Sequence, residues 1–379
     1  MTIFIILFTA LFISIAYHIL VYIQSLINIK NDRKFLKANK DNFFPSVSIL
    51  KPLKGIDDDL ERNIKSFFEL DYPEYEIIFG FHSNDDPAIK IVEKLIKEHP
   101  QIKSKVVIDS AEIGLNPKIN NLNNIYPYSS GEIIFISDSN TRVDKEFLKM
   151  IVSYFRDESV GLVSAAIKGT NAKNIFALFE NLHLNSFTFG IVQTASALAN
   201  VQITIGKAIL VRRQILDHLN GFQSFKDYLA EDHLMGLEVK RHGYKVKIST
   251  LTVENINERW SLQKILNRHR RWTLMRLNID PVFYILESLT NTTLVSLILI
   301  ILSPSFYFIG LTAILFKILI DYLTARLVCN SLKFVHFLLV PFKDILMGII
   351  WFSPFIYNKI NWRDSKLRVI KNSKLLPVN

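Results

Sequence analysis

Residues 228–236 read YLAEDHLMG, which sets the adjacent carboxylates Glu231 and Asp232 between Leu229 and Leu234 with no lysine or arginine close by. Burying an unpaired carboxylate is costly, so such a group is exposed, paired or functional. The structural alternative is a helix start, with Asp232 on the helix dipole. Two other acidic phrases follow apolar runs: HSNDDP, with Asp85 and Asp86, and DSN, with Asp138, Ser139 and Asn140. Aspartate and asparagine are common turn formers, so either phrase alone is weak. Together with Glu231 and Asp232 they form a set of hard oxygens suited to Mg²⁺ or Mn²⁺, ions that usually bring a phosphate with them. RHRRW (268–272) adds three arginines and a tryptophan. Arginine's planar fork fits phosphate oxygens, while the same residues could lie on lipid headgroups.

These side chains need a frame. VSILKPL (47–53), EIIFGF (76–81), VVI (106–108) and EIIFIS (132–137) are apolar runs of strand length. Helical patterns lie between them, at about 58–69 and in PAIKIVEKLIKEHP. Strands alternating with helices predict an α/β fold with a parallel, doubly wound sheet, and such sheets bind ligands at the carboxyl ends of their strands. Both acidic phrases fall at those ends.

The chain is 49% hydrophobic yet 21% charged, so its apolar residues must be unevenly placed. Residues 3–27 carry no charged side chain and are long enough for a bilayer core of about 30 Å. They lack the basic start and small-residue cleavage site of a signal peptide. A second apolar region predicts a helical hairpin at 289–303 and 305–325 and a third segment at 334–357. Expected divisions are an anchor at 1–28, a catalytic domain at 45–280, membrane segments at 285–358 and a basic tail at 359–379. Lys30, Arg33, Lys34, Lys37 and Lys40 follow the first span, which puts the domain in the cytoplasm by the positive-inside rule. Were all three C-terminal segments to cross, the tail with Lys359, Arg363 and Lys366 would lie outside, so the third is expected to be re-entrant or interfacial. The net charge of +10 suits anionic lipid, and no nucleic-acid-binding signature is present. Cys329 alone excludes an intrachain disulfide and multi-cysteine metal sites.

SILKPLKG, FFELDYPEYEI, NDDPAI, KINNL, ISDSNTRV, ENLHLNSF, IGKAILVRR, DYLAEDHLMG, ENINERWSL and RHRRW run in order through nearly all of residues 47–275. This series resembles the ceramide glucosyltransferase family of membrane-bound GT-A glycosyltransferases, including its bacterial hopanoid-associated relatives. The resemblance implies a hexosyltransferase using a UDP-sugar, with UDP-glucose and ceramide as the expected pair and inversion to a β-glycosyl lipid. It makes Asp232 the catalytic base, and Asp138 with Asn140 the metal position. It assigns Arg268, Arg271 and Trp272 to the diphosphate, and Lys51, Pro52, Ser83, Asp85, Asp86, Lys118 and Asn120 to the nucleotide-sugar.

Two positions depart from the family pattern. Ser83 stands where a nucleotide-binding aspartate is usual, and Asn140 removes one anionic metal ligand. The nearly uncharged stretch 182–202 still carries His183, Asn185, Gln193, Asn200 and Gln202. A crossing there would put Asp138 and Asp232 on opposite sides of the membrane, so it is read as an apolar surface admitting the lipid, with Phe187, Phe189 and Glu231 on the acceptor side. A buried core helix is its structural alternative. UDP-N-acetylglucosamine transfer to a hopanoid or other lipid alcohol and a processive polysaccharide synthase remain as alternatives.

Overall fold

The strands Val47–Pro52 (β1), Tyr75–Phe81 (β2), Lys103–Ile108 (β3) and Ile133–Ser137 (β4) form where the apolar runs predict them. Strands Thr141–Arg142 (β5), Val160–Thr170 (β6), Ala208–Arg212 (β7) and Lys245–Ile256 (β8) complete one sheet in the order β3-β2-β1-β4-β7-β6-β8-β5. The first four are parallel; β7 runs antiparallel to both β4 and β6, and β5 antiparallel to β8. The expected parallel sheet is therefore one half of a mixed sheet, the GT-A architecture. Apolar periodicity marks a strand without giving its direction, which is why the reversal at AILVR was not visible.

This computed structural model describes residues 2–39, 43–201, 203–362 and 365–378; Lys40, Gln202 and Arg363, named above, lie outside them. The chain divides into two units, one of Asn28–Asn171 and Ala195–Glu258, the other of Met1–Ile27, Ala172–Thr194 and Arg259–Asn379.

In the sheet-bearing unit, β4 is buried along its whole length, as a strand covered on both faces must be. Ile134 and Ile136 share a core with Ile209 and Val211 of β7 and with Ile119, Leu122, Met235 and Val239 from two helices. The end of the N-terminal helix Thr2–Ala38 is fixed to the same unit. There Asp32 accepts from Lys247 Nζ (2.6 Å) and Thr250 N (2.7 Å), and Phe35 stacks on Tyr154.

The other unit is helical. Thr292–Leu302 and Tyr307–Arg326 form the expected hairpin, but the first arm is short and is bent by 63° from Pro281–Thr290. Among the described residues four helices are long and apolar enough to cross a membrane, and a bent pair could make a fifth. One of the four, Ile175–Leu198, is 67% buried inside the protein, against 22–33% for the others. Lys343 and Asp344 are buried and paired (2.7 Å), with Lys317–Asp321 (2.5 Å) and Thr293 beside them. That pairing lowers the cost of placing charges at mid-segment. Within 359–379, expected only as a basic tail, the strands Lys359–Trp362 (β9), Ser365–Val369 (β10) and Leu375–Pro377 (β11) pair antiparallel.

Candidate active site

Asp138 follows β4 directly, and Glu231 and Asp232 open the helix Glu231–Arg241. A third element brings them a cation. Asn116 caps the helix Pro117–Ile125, accepting from the backbone N–H of Lys118 (2.9 Å) and of Ile119 (3.2 Å). The Lys118 ammonium then reaches Asp138 Oδ1 (3.0 Å), Glu231 Oε1 (3.0 Å) and the Gly206 carbonyl (3.2 Å). Asn116 also donates to Glu231 Oε2 (3.3 Å). The acidic pair of YLAEDHLMG is thus not unpaired; its partner lies more than a hundred residues away in sequence.

Asp232 is held from two sides. Its Oδ2 accepts from the Gly206 N–H (2.7 Å) and its Oδ1 from the His233 N–H (2.7 Å). Burial pushes the carboxyl above the usual aspartate range, against Lys118 and the two backbone donors. Burial likewise raises Glu231, with Asp232 adding to it. For Asp138 the balance reverses: Lys118 and Lys207 override desolvation and hold it well below the carboxylate range. Within one cluster, burial thus raises two carboxyls while the lysines hold the third low, the kind of split that lets one carboxylate act as a base and another stay an anion.

Lys207 was not singled out from sequence, although its phrase IGKAILVRR was. Its ammonium lies 2.9 Å from Asp138 Oδ2 and 2.6 Å from Asn140 Oδ1. The two oxygens expected to hold a metal thus converge on one cation position, and their hard-donor chemistry fits Mg²⁺ or Mn²⁺. No cluster of three or more His, Cys, Asp or Glu suited to a metal occurs among the described residues. Lys51 is buried beneath, donating to the Asp138 carbonyl (2.8 Å) and Ser137 Oγ (3.3 Å) and standing 3.8 Å over the Phe67 ring. Burial pushes it down to about 7 despite Asp138.

Other expected nucleotide contacts are engaged differently. Asn120 is buried, accepting from Ile113 N and Gly114 N and donating to the Gly114 carbonyl, which braces a loop. Asp86 accepts from Gly55 N (2.8 Å) and Ala88 N (2.9 Å), joining two loops. Ser83 and Asp85 are exposed and hydrogen-bond each other, and Pro52 closes β1.

The RHRRW motif belongs to the helical unit, on Leu262–Ile279. There the fully buried Glu180 accepts from His269 Nε2 (2.7 Å) and lies 3.4 Å from the Arg268 guanidinium. Arg268 stacks over Trp272 (4.3 Å) and Trp260 (5.2 Å). Arg271 is half-buried on the same helix. Glu180 went unremarked in the sequence because ENLHLNSF offers no periodic sign of a partner for it. Next to it in sequence the chain makes a wide π-type turn, His183–Thr188, where Phe187 stacks on His183; Phe189 is only 2% exposed.

Ceramide glucosyltransferases 3 and 1 of Caenorhabditis elegans are each 27% identical to the chain. The alignments cover 90% and 97% of this chain and 76% and 82% of the relatives. A solved mannosyltransferase from Pyrobaculum calidifontis, in complex with GDP-Man and Mn²⁺, is 16% identical with a TM-score of 0.48, covering 92% of this chain and 99% of its own. The glycosyl transferase family 21 profile matches residues 6–375. With that match over nearly its whole length, the chain belongs to glycosyl transferase family 21 and is a hexosyltransferase.

Proposed function

We propose that the chain transfers glucose from UDP-glucose to the primary hydroxyl of ceramide with inversion, giving a β-glucosyl lipid. The names of its relatives support the sugar and the acceptor. The observation that carries the mechanism is Asp232, a carboxylate raised by burial and fixed by the Gly206 and His233 amides. Asp232 takes the acceptor's proton as the acceptor oxygen bonds to the anomeric carbon. The bond from that carbon to the diphosphate oxygen breaks on the opposite face, and UDP leaves with the electron pair. Attack on an α-linked donor gives the β-product.

Asp138 and Asn140 would hold a divalent ion, which when bound neutralises charge on the diphosphate. Lys118 holds Asp138 and Glu231 in place, and Arg268 and Arg271 add fixed positive charge for the leaving group. Lys51 keeps the strand end under Asp138. Phe187 and Phe189 are assigned to the lipid tail, and Glu231 to the acceptor side. The anchor at 1–28 and the segments at 285–358 keep the domain of 45–280 on the cytoplasmic face, with 359–379 on the same side.

Purified protein incubated with UDP-glucose or UDP-N-acetylglucosamine, and with ceramide, a hopanoid or no lipid, tests the reading by product mass and anomeric configuration. A β-glucosylceramide is expected. An α-linked product, a hopanoid glycoside alone or a polymer would overturn it.

A further inference from the structure

We propose that Lys207 is a resident counter-cation of the metal position, competing with the divalent ion for Asp138 and Asn140. This rests on the reading of those two residues as metal ligands. The sheet register makes the contact a built feature. Strands β4 and β7 pair antiparallel with Ser137 opposite Ala208, so the next positions, Asp138 and Lys207, face each other across the strands. The Lys207 carbonyl also accepts from Thr141 Oγ1 (3.3 Å), which fixes the backbone there. The side chain is 16% exposed, and its ammonium touches both oxygens. Asn140 is itself oriented, its amide donating to Asn255 Oδ1 (3.2 Å), and Asn255 donating on to Asn257 (2.8 Å).

A magnesium or manganese ion needs oxygens at about 2.0–2.2 Å in a near-octahedral shell, where an ammonium needs them at about 2.8 Å. Both cations cannot use Asp138 Oδ2 and Asn140 Oδ1 at once, since each would also meet the other's charge. The ion must displace Lys207, and an arriving diphosphate offers the displaced ammonium a new anionic partner. Metal binding without nucleotide is then weak, and metal and UDP-sugar bind cooperatively.

The test is Mn²⁺ binding to the full-length protein in detergent, read from the electron paramagnetic resonance signal of free Mn²⁺, with and without UDP. Lys207→Met, and Lys207→Gln should Met fail to fold, is expected to bind Mn²⁺ about tenfold more tightly than wild type without UDP, the scale of one lost charged hydrogen bond. The gain conferred by UDP should shrink by the same factor. Adding Asp138→Asn should abolish the tight binding. Unchanged or weaker Mn²⁺ affinity in both Lys207 variants, with Asp138→Asn still abolishing it, would overturn the competition and leave the metal reading standing. Binding that survives Asp138→Asn would overturn the metal reading itself, and the competition with it.

Discussion

The backbone N–H of Gly206 donates to Asp232 Oδ2 at 2.7 Å, and a Cβ on that glycine would lie 2.7 Å from Lys118 Nζ and 3.2 Å from the same Oδ2. The residue that orients the base therefore has no room for a side chain. Gly206→Ala must shift an ammonium already committed to Asp138 and Glu231, or the Asp232 carboxylate. Turnover is expected to fall on the order of 100-fold, since a displacement near 1 Å has that effect in a positioned site. The melting temperature should stay close to wild type, because the obstructing group is the tip of a flexible chain. Glycolipid formation and thermal unfolding measured together check this; wild-type turnover would mean that the cluster tolerates the shift.

Asp232→Asn is expected to reduce turnover by 10²–10⁴, the usual worth of a general base, while leaving UDP affinity nearly unchanged. The active form is the deprotonated one, so the rate rises with pH through the pKa of the free enzyme. Burial raises that pKa, so the acid limb of kcat/KM should lie above 3.8, the ordinary aspartate value. Lys118 pulls it down, so Lys118→Met should move the limb to still higher pH. An acid limb that stays put in Lys118→Met would remove Asp232, or Lys118, from this scheme.

Glu180 is shared by His269 and Arg268, so its loss orphans two groups at once. Removing one partner of a buried ion pair costs about 3–5 kcal/mol. Glu180→Ala should therefore lower the melting temperature more than Arg268→Ala, which leaves the Glu180–His269 contact in place. Comparing unfolding of the two variants in detergent decides it; a wild-type midpoint for Glu180→Ala would mean that the contact stabilises nothing.

On the proposed topology the residues after 358 face the cytoplasm. Lys371 is exposed, whereas the only native thiol, Cys329, is buried. A Lys371→Cys, Cys329→Ser protein should resist an impermeant maleimide in intact cells and react after permeabilisation. Labelling of intact cells would place the tail outside.

Much of the frame was readable because burial leaves a pattern. The four apolar runs became β1 to β4, and the acidic phrases fell at strand ends. The reversed β7 was not readable, and with it went Lys207, whose place opposite Asp138 exists only through the β4–β7 register. Glu231 and Asp232 looked unpaired since their cation, Lys118, is distant in sequence and arrives by helix packing. Asn120 shows another limit. Its place in KINNL says nothing of its bonds to the 113–114 backbone, which only the folded loop makes.

The four buried charges of two apolar helices also bear on how those helices pair. Lys317 and Asp321 lie one turn apart on a single helix, and Lys343 and Asp344 are neighbours on another. Each helix thus carries its own neutral couple. The crosswise approaches, Lys343 to Asp321 at 3.7 Å and Lys317 to Asp344 at 4.0 Å, can form only when the helices associate. The crosswise pairs thus join the two helices by charge, as polar contacts do between apolar helices.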